Sequence, residues 1–222
     1  MPDTTKKALI AGSTGLVGNK ILHYLLNNPQ YIEIHVPGRR PPEVSDSRII
    51  FHRTDFMQLN TLVIKDLDEV YCALGTTIKK AGSQEKFRQI DFDAVVNLAR
   101  WAAKAKVNHF VVISSIGANP KSRTFYLKTK GQMEQVLKTC NLKNLTIVRP
   151  SLLLGKRKEF RTGERISTWL IKPICFLMKG PLKNYHPIEA SQVAKAMLHL
   201  AKNDIGDTFI VENNKLLNIS KY

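Results

Sequence analysis

Short apolar runs alternate with longer segments of helical periodicity along most of the chain. The short runs are typical of buried strands, and apolar positions that recur at helical spacing indicate helices. The predicted strands cover residues 7–11, 32–36, 49–52, 69–74, 110–113, 145–149 and 208–211. The predicted helices cover residues 16–26, 91–104, 125–140, 166–178 and 188–201. This alternation predicts an α/β fold, a doubly wound parallel sheet with helices on both faces.

The length of the chain fits one hydrophobic core, so we predict a single domain over residues 1–222. The regular alternation ends at Pro150, where a basic loop and an apolar segment follow. In doubly wound sheets, ligands bind outside the carboxyl ends of the strands. We therefore expect residues 151–188 to form a small C-terminal extension that contributes the substrate pocket.

The charge balance is strongly basic, since 34 Lys and Arg against 18 Asp and Glu give a formal net charge of +16. Such a charge attracts polyanions, including nucleic acids and anionic membranes, over roughly 8 Å at physiological salt. The basic residues are scattered along the chain, which favours a solvated basic surface. Because no recognition helix, finger or aromatic platform accompanies the charge, we do not expect nucleic-acid binding.

Cysteine content and apolar segments bear on the cellular compartment. Three cysteines without short spacing predict neither a disulfide framework nor a metal site. The N-terminal residues lack the apolar core and cleavage site of a secretory signal. The longest apolar stretch, residues 167–178, contains Lys172 and Pro173 and is shorter than the ~20 residues that cross a bilayer. We therefore predict a cytoplasmic protein without a transmembrane segment.

A glycine-rich turn lies between the first predicted strand and the first predicted helix. A pyrophosphate needs backbone N–H groups at a helix N-terminus, and glycine removes the side chains that would block its approach. We expect Gly12 to make the tight turn, Gly15 to admit phosphates and Gly18 to let the helix pack on the sheet. This placement predicts a dinucleotide site, and a plain tight turn is the alternative. The candidate cofactor-binding residues here are Gly12, Ser13, Thr14, Gly15, Leu16, Val17 and Gly18.

The end of the second predicted strand bears on which dinucleotide binds. Sites for NAD usually carry an acidic residue there, which hydrogen-bonds the ribose hydroxyls. This chain has Arg39 and Arg40 instead, which could clamp a 2′-phosphate. We therefore predict NADP(H), the alternative being two solvent-exposed loop arginines. Asp55 is a candidate for the adenine amino group or a solvated loop aspartate. The residues expected under the ribose and phosphates are Leu74, Gly75 and Thr76.

A tyrosine and a lysine open the helix predicted after the fifth strand. Tyr126 and Lys130 are four residues apart and therefore face the same side of that helix. A neighbouring cation suits a phenol to proton exchange with a carbonyl or an alcohol. The preceding strand ends in Ser114 and Ser115, either of which could donate a hydrogen bond to a developing oxyanion. We favour Ser115, while the alternative is a structural helix with an incidental surface tyrosine.

These motifs together resemble the atypical short-chain dehydrogenase/reductases, most closely the Tat-interacting-protein-like oxidoreductases. The resemblance implies an NADP(H)-bound Rossmann fold in which Ser115 polarises a carbonyl and Tyr126 donates a proton. It also implies that Lys130 binds the ribose and tunes the tyrosine pKa. Ser114 and Pro150, at the ends of two strands, are further candidates for cofactor contact. The matching segments include Pro37-Gly38-Arg39-Arg40, Leu74-Gly75-Thr76-Thr77, Tyr126-Leu127 with Lys130-Gly131, and Arg149-Pro150.

The main functional hypothesis is an NADP(H)-dependent oxidoreductase that transfers a hydride to or from a small or lipophilic carbonyl or alcohol. The alternative is a non-catalytic regulatory protein whose binding partner reads its NADPH occupancy. A weaker hypothesis is peripheral membrane contact through apolar side chains beside basic residues. The fold does not specify the small-molecule substrate. The apolar side chains of the membrane hypothesis are Trp169, Leu170, Ile174 and Phe176.

Overall fold

Parallel strands dominate the computed structural model, which describes residues 5–59, 61–155, 184–204 and 206–220. The strands are β1 (Lys6–Ala11), β2 (Tyr31–Gly38), β3 (Ile49–Arg53), β4 (Glu69–Cys72), β5 (His109–Ile113), β6 (Leu145–Arg149), β7 (Leu153–Leu154), β8 (Ile188–Glu189) and β9 (Thr208–Glu212). Seven of them form one parallel sheet in the order β3-β2-β1-β4-β5-β6-β9. The predicted doubly wound α/β fold is therefore confirmed. The strand order reverses beside β1, and doubly wound sheets bind ligands at such a point, outside the carboxyl ends of the strands.

Helices cover both faces of the sheet. They are α1 (Leu16–Leu26), α2 (Ile78–Ala81), α3 (Gln84–Arg88), α4 (Ala94–Lys104), α5 (Phe125–Leu137), α6 (Ala190–Leu200) and α7 (Asn213–Ile219). One apolar core lies between the sheet and α1 with α6, and the other lies under α4 and α5. Successive residues of β1 point to opposite cores, since Ile10 packs in the first and Leu9 in the second. Burial on both faces explains why the strands read as continuous apolar runs.

The observed helices differ from the predicted ones at several ends. The helix predicted from residue 91 begins at Ala94, because Gln89–Asp93 form a π-helical turn. The helix predicted from residue 188 begins at Ala190, because β8 pairs with β7 in a separate two-stranded sheet. The terminal helix α7 was not predicted. The predicted helix 166–178 lies outside the described residues, as do the four apolar side chains of the membrane hypothesis.

The two described ends of the predicted substrate extension meet beyond β6. The Ile188 N–H donates to the Leu152 carbonyl oxygen at 3.0 Å. The carbonyl oxygen of His186 accepts hydrogen bonds from the Ser151 hydroxyl and from the buried side-chain amide of Asn213. These contacts hold both ends of the segment at the carboxyl edge of the sheet. No described helix is long and apolar enough to span a bilayer.

Three buried or half-buried histidines favour the neutral imidazole in the folded state. The rings of His35 and His52 stack with centroids 5.2 Å apart, and Nε2 of His109 lies 2.8 Å from the Thr146 hydroxyl. Burial lowers the pKa of all three histidines, and the proximity of His52 lowers that of His35 further. Folding therefore disfavours protonation at these sites.

We predict that the free energy of unfolding decreases as the pH falls below about 6.5, the ordinary histidine pKa. Below that pH the unfolded chain binds more protons than the folded one, so stability present above 6.5 is lost towards the lowered folded pKa values. Urea unfolding at several pH values measures this loss. The exposed His23→Asn variant should keep the wild-type pH dependence, whereas His52→Asn should weaken it. An unfolding free energy that rises on acidification would contradict the prediction.

Candidate functional site

The candidate residues lie along the carboxyl edge of the sheet. Their turns and helices follow the ends of β1 through β6. Because parallel strands end at the same edge, these segments form one rim, which is where doubly wound proteins bind ligands. The rim has three parts: the turn of residues 12–18 after β1, named the phosphate turn for its predicted ligand, a basic depression, and a cluster around α5.

The turn after β1 has glycine wherever its geometry excludes a side chain. Gly12 has φ +87°, and a Cβ there would lie 2.6 Å from the Ala73 carbonyl oxygen. A Cβ on Gly18 would lie 2.1 Å from the Gly12 carbonyl oxygen. The Gly15 N–H donates to that same oxygen at 2.9 Å. The turn and the first turn of α1 are therefore in backbone contact, as only glycine permits.

The N-terminus of α1 is open to an anion. Gly15 precedes the helix, and among the described residues no side chain caps it and no acidic residue stands in its first turn. The free N–H groups and the helix dipole make such a terminus a favourable position for phosphate. Ser13 and Val17 are buried beneath the turn, Leu16 is half-buried, and Thr14 is exposed. The turn and the open N-terminus of α1 together suit a pyrophosphate.

A depression of about 290 Å³ lies at the carboxyl ends of β2 and β3. Its described lining residues are Arg39, Arg53, Thr54 and Asp55. Oδ1 of Asp55 accepts a hydrogen bond from the Met57 N–H at 3.0 Å, which holds the turn after β3. Arg40 is exposed and is not among the lining residues. Arg53 was not predicted as a site residue, because in the sequence it is only a charged residue that ends an apolar strand.

The turn after β4 is tied to the π-helical turn. Oδ2 of Asp91 accepts a hydrogen bond from the Thr76 N–H at 2.8 Å. A Cβ on Gly75 would lie 3.3 Å from the other oxygen of the same carboxylate. Leu74, next to them, packs against the second core. Asp91 thus fixes the backbone that the sequence predicts beneath the cofactor.

A buried ion pair joins Asp91 to Lys130. Lys130 Nζ lies 2.8 Å from Asp91 Oδ1, and the two side chains are only 3% and 1% exposed. Burial lowers the pKa of Lys130, but the Asp91 carboxylate and then Tyr126 outweigh this effect, so the pKa is raised overall. Burial also raises the pKa of the nearby Cys72 thiol to about 12. Lys130 is therefore a cation at neutral pH, and Cys72 is a neutral thiol.

Tyr126 stands in the first turn of α5 and is half-buried. Its ring packs against Phe87 of α3, with ring centroids 5.6 Å apart. Phe87 is fully buried and also contacts Phe125 edge-on at 6.0 Å. The aromatic contact restricts the Tyr126 ring, so Phe87 helps to hold that ring in position. Phe87 was not predicted as a site residue from the sequence.

The two adjacent serines after β5 differ in their contacts. The buried Ser114 hydroxyl donates to Glu134 Oε1 at 2.5 Å, and Arg149 donates to both oxygens of that carboxylate. The half-buried Ser115 hydroxyl has a longer bond of 3.2 Å to the neighbouring Ile116 carbonyl oxygen. Ser114 therefore belongs to a structural network, and Ser115 is less constrained.

The buried Pro150 connects the turns after β5 and β6. Its carbonyl oxygen accepts a hydrogen bond from the Ile116 N–H at 3.0 Å. This bond fixes the backbone next to Ser115. Pro150 is therefore in the same part of the rim as the two serines.

Comparison with known proteins identifies the family. A sequence model described as NAD(P)H-binding matches residues 12–204. This chain belongs to the NAD(P)H-binding family. The match begins at the first glycine of the phosphate turn and includes the ion pair and both serines, so the family covers the whole rim described above.

Relatives of this NAD(P)H-binding protein include the fungal FMP52 proteins. Protein FMP52, mitochondrial, of Debaryomyces hansenii is 33% identical, covering 92% of each chain. Its namesake in Saccharomyces cerevisiae is 30% identical, covering 96% of this chain and 95% of its own. The predicted membership of an NAD(P)-binding family is therefore confirmed. The closer resemblance to Tat-interacting-protein-like oxidoreductases is not confirmed, because these relatives are named FMP52.

The solved structure of MoeE5 in complex with UDP-glucose and NAD shares the fold. Its TM-score is 0.69 at 16% identity, and the match covers 96% of this chain and 80% of that chain. An identity this low shows common architecture only. The NAD(P)-binding, Rossmann-like fold is therefore confirmed without any inference about the substrate.

The predicted cytoplasmic location is wrong, because the relatives from both yeasts are named as mitochondrial proteins. The prediction rested on the absence of a secretory signal and on the low cysteine content. Both observations argue against export, but neither distinguishes the cytosol from mitochondria.

We predict that Gly18→Ala destabilises the protein by about 1–3 kcal/mol or more, as overpacking against rigid backbone does. The new methyl group would lie 2.1 Å from the Gly12 carbonyl oxygen, so α1 must move away from the turn. Urea unfolding measures the change. Gly38→Ala is the matched control, because its Cβ would have no neighbour closer than 3.8 Å. Equal stability of Gly18→Ala and the wild type would contradict the close helix packing.

Proposed function

We propose that this protein is an NADP(H)-dependent oxidoreductase that interconverts a small or lipophilic carbonyl compound and its alcohol. The observation that carries the proposal is the buried Lys130 cation. It is paired with Asp91, interacts electrostatically with Tyr126, and lies on the same rim as the open phosphate turn. A phenol beside a protonated lysine is suited to proton exchange with a carbonyl oxygen. By analogy with the FMP52 relatives, we place this activity in mitochondria.

The residues of the rim would hold the cofactor in sections. The turn from Gly12 to Gly18 would bind the pyrophosphate through backbone N–H groups, and Asp55 would face the adenine. Arg39 would bind the 2′-phosphate. The backbone of residues 74–76, with Lys130 and Pro150, would contact the ribose and nicotinamide portion. Ser114 would contribute through its backbone, because its hydroxyl is bound to Glu134. When bound, the nicotinamide supplies or accepts the hydride.

Side chains of the protein would carry out and support the proton transfer. Tyr126 would give a proton to the carbonyl oxygen or take one from the alcohol at its phenolic oxygen. Lys130 stays protonated because its pKa is raised, so it stabilises the phenolate that forms when the proton leaves. Ser115 would donate a hydrogen bond to the substrate oxygen. Asp91 would position Lys130 rather than contact the substrate.

The substrate pocket would be completed by residues 151–188. Both described ends of this segment are fixed at the rim by Ser151 and Asn213. The proposed pocket would thus belong to the same single domain as the rim.

We predict that Tyr126→Phe lowers turnover by about 100-fold or more, because the variant lacks the hydroxyl that exchanges the proton. NADPH consumption across a panel of aldehydes and ketones measures turnover, and calorimetry measures NADPH binding, which should change by less than about twofold. Tyr24→Phe on α1 is the matched control and should keep full activity. Full turnover of Tyr126→Phe would overturn the mechanism. A wild-type protein that binds NADPH but consumes none would favour the cofactor-sensing alternative.

We predict that the two serine variants separate activity from stability. Ser115→Ala should lower turnover by about 100-fold at unchanged unfolding free energy, because an oxyanion donor is lost. Ser114→Ala should lower the unfolding free energy by about 1–3 kcal/mol, because the buried Glu134 carboxylate loses a donor. Initial rates and urea unfolding on the same preparations test both effects. The reverse pattern would make Ser114 the catalytic serine.

A further inference from the structure

The register of β2 and β3 brings two arginines to adjacent strand ends. Gly38 pairs with Arg53 in the parallel ladder, and Arg39 follows Gly38 directly. The Thr54 N–H donates to the Gly38 carbonyl oxygen at 3.1 Å, which continues the pairing beyond β3. Neighbouring strands are about 4.8 Å apart, so the Arg53 backbone lies beside the residue that precedes Arg39.

Strand alternation places the Arg53 side chain on the α1 face of the sheet. Val36 and Phe51 pair with each other and pack in the core under α1. Arg53 comes two residues after Phe51, and alternate residues of a strand share a face. It therefore leaves the sheet on the same face as α1, whose open N-terminus is the phosphate turn.

Gly38 places no side chain beside Arg53 at the carboxyl end of β2. It stands two residues after Val36 and so occupies the α1 face of β2 at its carboxyl end. A Cβ there would meet nothing closer than 3.8 Å. The depression of about 290 Å³ that Arg39 and Arg53 line lies at the ends of these two strands.

Both guanidinium groups are exposed and have no counterion among the described residues. Within residues 5–59, 61–155, 184–204 and 206–220, neither Arg39 nor Arg53 has a carboxylate within ion-pair distance. Arg48 and Arg149, in contrast, are paired with Asp46 and with Glu134, respectively. Two unpaired guanidinium groups in one depression suit a phosphate monoester, which accepts paired N–H donors.

Asp55 is the one acidic residue among the described lining residues. Its Oδ1 is bound to the Met57 N–H, which fixes the carboxylate in its own turn. The lining therefore carries two positive groups against one negative group. The net charge of the depression remains positive.

We propose that Arg53 binds the 2′-phosphate of NADP(H) together with Arg39, and that Arg53 determines the preference for NADP(H) over NAD(H). Arg53 replaces Arg40 as the second guanidinium group of the clamp. This inference rests on the proposed function and names the residue that sets its cofactor specificity.

Calorimetry with nucleotide fragments tests this assignment on the full-length protein. Adenosine 2′,5′-bisphosphate carries the 2′-phosphate, and 5′-AMP lacks it. We expect Arg53→Ala and Arg39→Ala each to weaken binding of the bisphosphate by about tenfold or more, with 5′-AMP affected less than about twofold. Arg53→Lys should give an intermediate loss, because it keeps the charge but not the planar fork.

The matched control is Arg100→Ala, which removes the same charge from an exposed position on α4, on the other face of the sheet. It should leave both fragment affinities unchanged at constant ionic strength. An effect of Arg40→Ala with none of Arg53→Ala would overturn the assignment. So would equal losses for the two fragments, which would indicate a general loss of charge or fold.

The full cofactors distinguish failure of this inference from failure of the proposed function. If the wild type binds NADPH more tightly than NADH and Arg53→Ala keeps the same ratio, only the assignment of Arg53 is wrong. If the wild type binds neither cofactor, the oxidoreductase proposal fails as well. The expected result is that Arg53→Ala lowers the NADPH to NADH affinity ratio by about tenfold.

Discussion

The Lys130–Asp91 ion pair joins the segments that form the candidate site. Asp91 lies in the π-helical turn and also accepts the Thr76 N–H, so one carboxylate connects the turn after β4, the start of α4 and the helix α5. Burying two charges is costly, and removing one partner of such a pair typically costs about 3–5 kcal/mol because the other is left unpaired. The carboxyl edge of the sheet therefore depends on this ion pair, because separating α5 from the π-helical turn would leave a buried charge unpaired.

One face of α5 carries the proposed catalytic pair and also anchors the helix to the sheet. Tyr126, Lys130 and Glu134 recur at four-residue spacing, which places them along one side of the helix. The first is half-buried at the rim, while Lys130 and Glu134 are buried and each is paired with an opposite charge. Glu134 binds Arg149 and the Ser114 hydroxyl, and so anchors the helix to β5 and β6. Tyr126 at the helix start is thus half-buried on a rigid support, an arrangement that suits a group needing both fixed position and contact with a ligand.

The sequence was sufficient for the fold and for the glycine positions of the turn after β1, because both depend on local patterns. Apolar runs on both sides of helical segments specify a parallel sheet, and Gly12 and Gly18 stand where backbone contacts exclude a Cβ. Asp91 was missed because the π-helical turn changes the register of the helix, so that helical spacing from Ala94 does not show which way the carboxylate faces. Arg53 was missed because its importance arises from pairing with Gly38 across two strands, which a single sequence does not contain. The choice between Ser114 and Ser115 likewise depends on Glu134, twenty residues away from Ser114.

Among the described residues, the charged groups of the rim are paired near Tyr126 and unpaired at the ends of β2 and β3. This difference affects what each end can bind. At β2 and β3 the exposed guanidinium groups have no described counterion, so an anionic ligand gains their full attraction. Beside Tyr126 the Lys130 charge is matched by Asp91 at 2.8 Å, so the pair presents a dipole rather than a net charge. Such a pair exerts little attraction on a distant anion, since fields of opposite charges at short separation largely cancel. The proposed division follows from this asymmetry: the charged part of the cofactor belongs at the basic depression, and an uncharged carbonyl or alcohol belongs at the tyrosine.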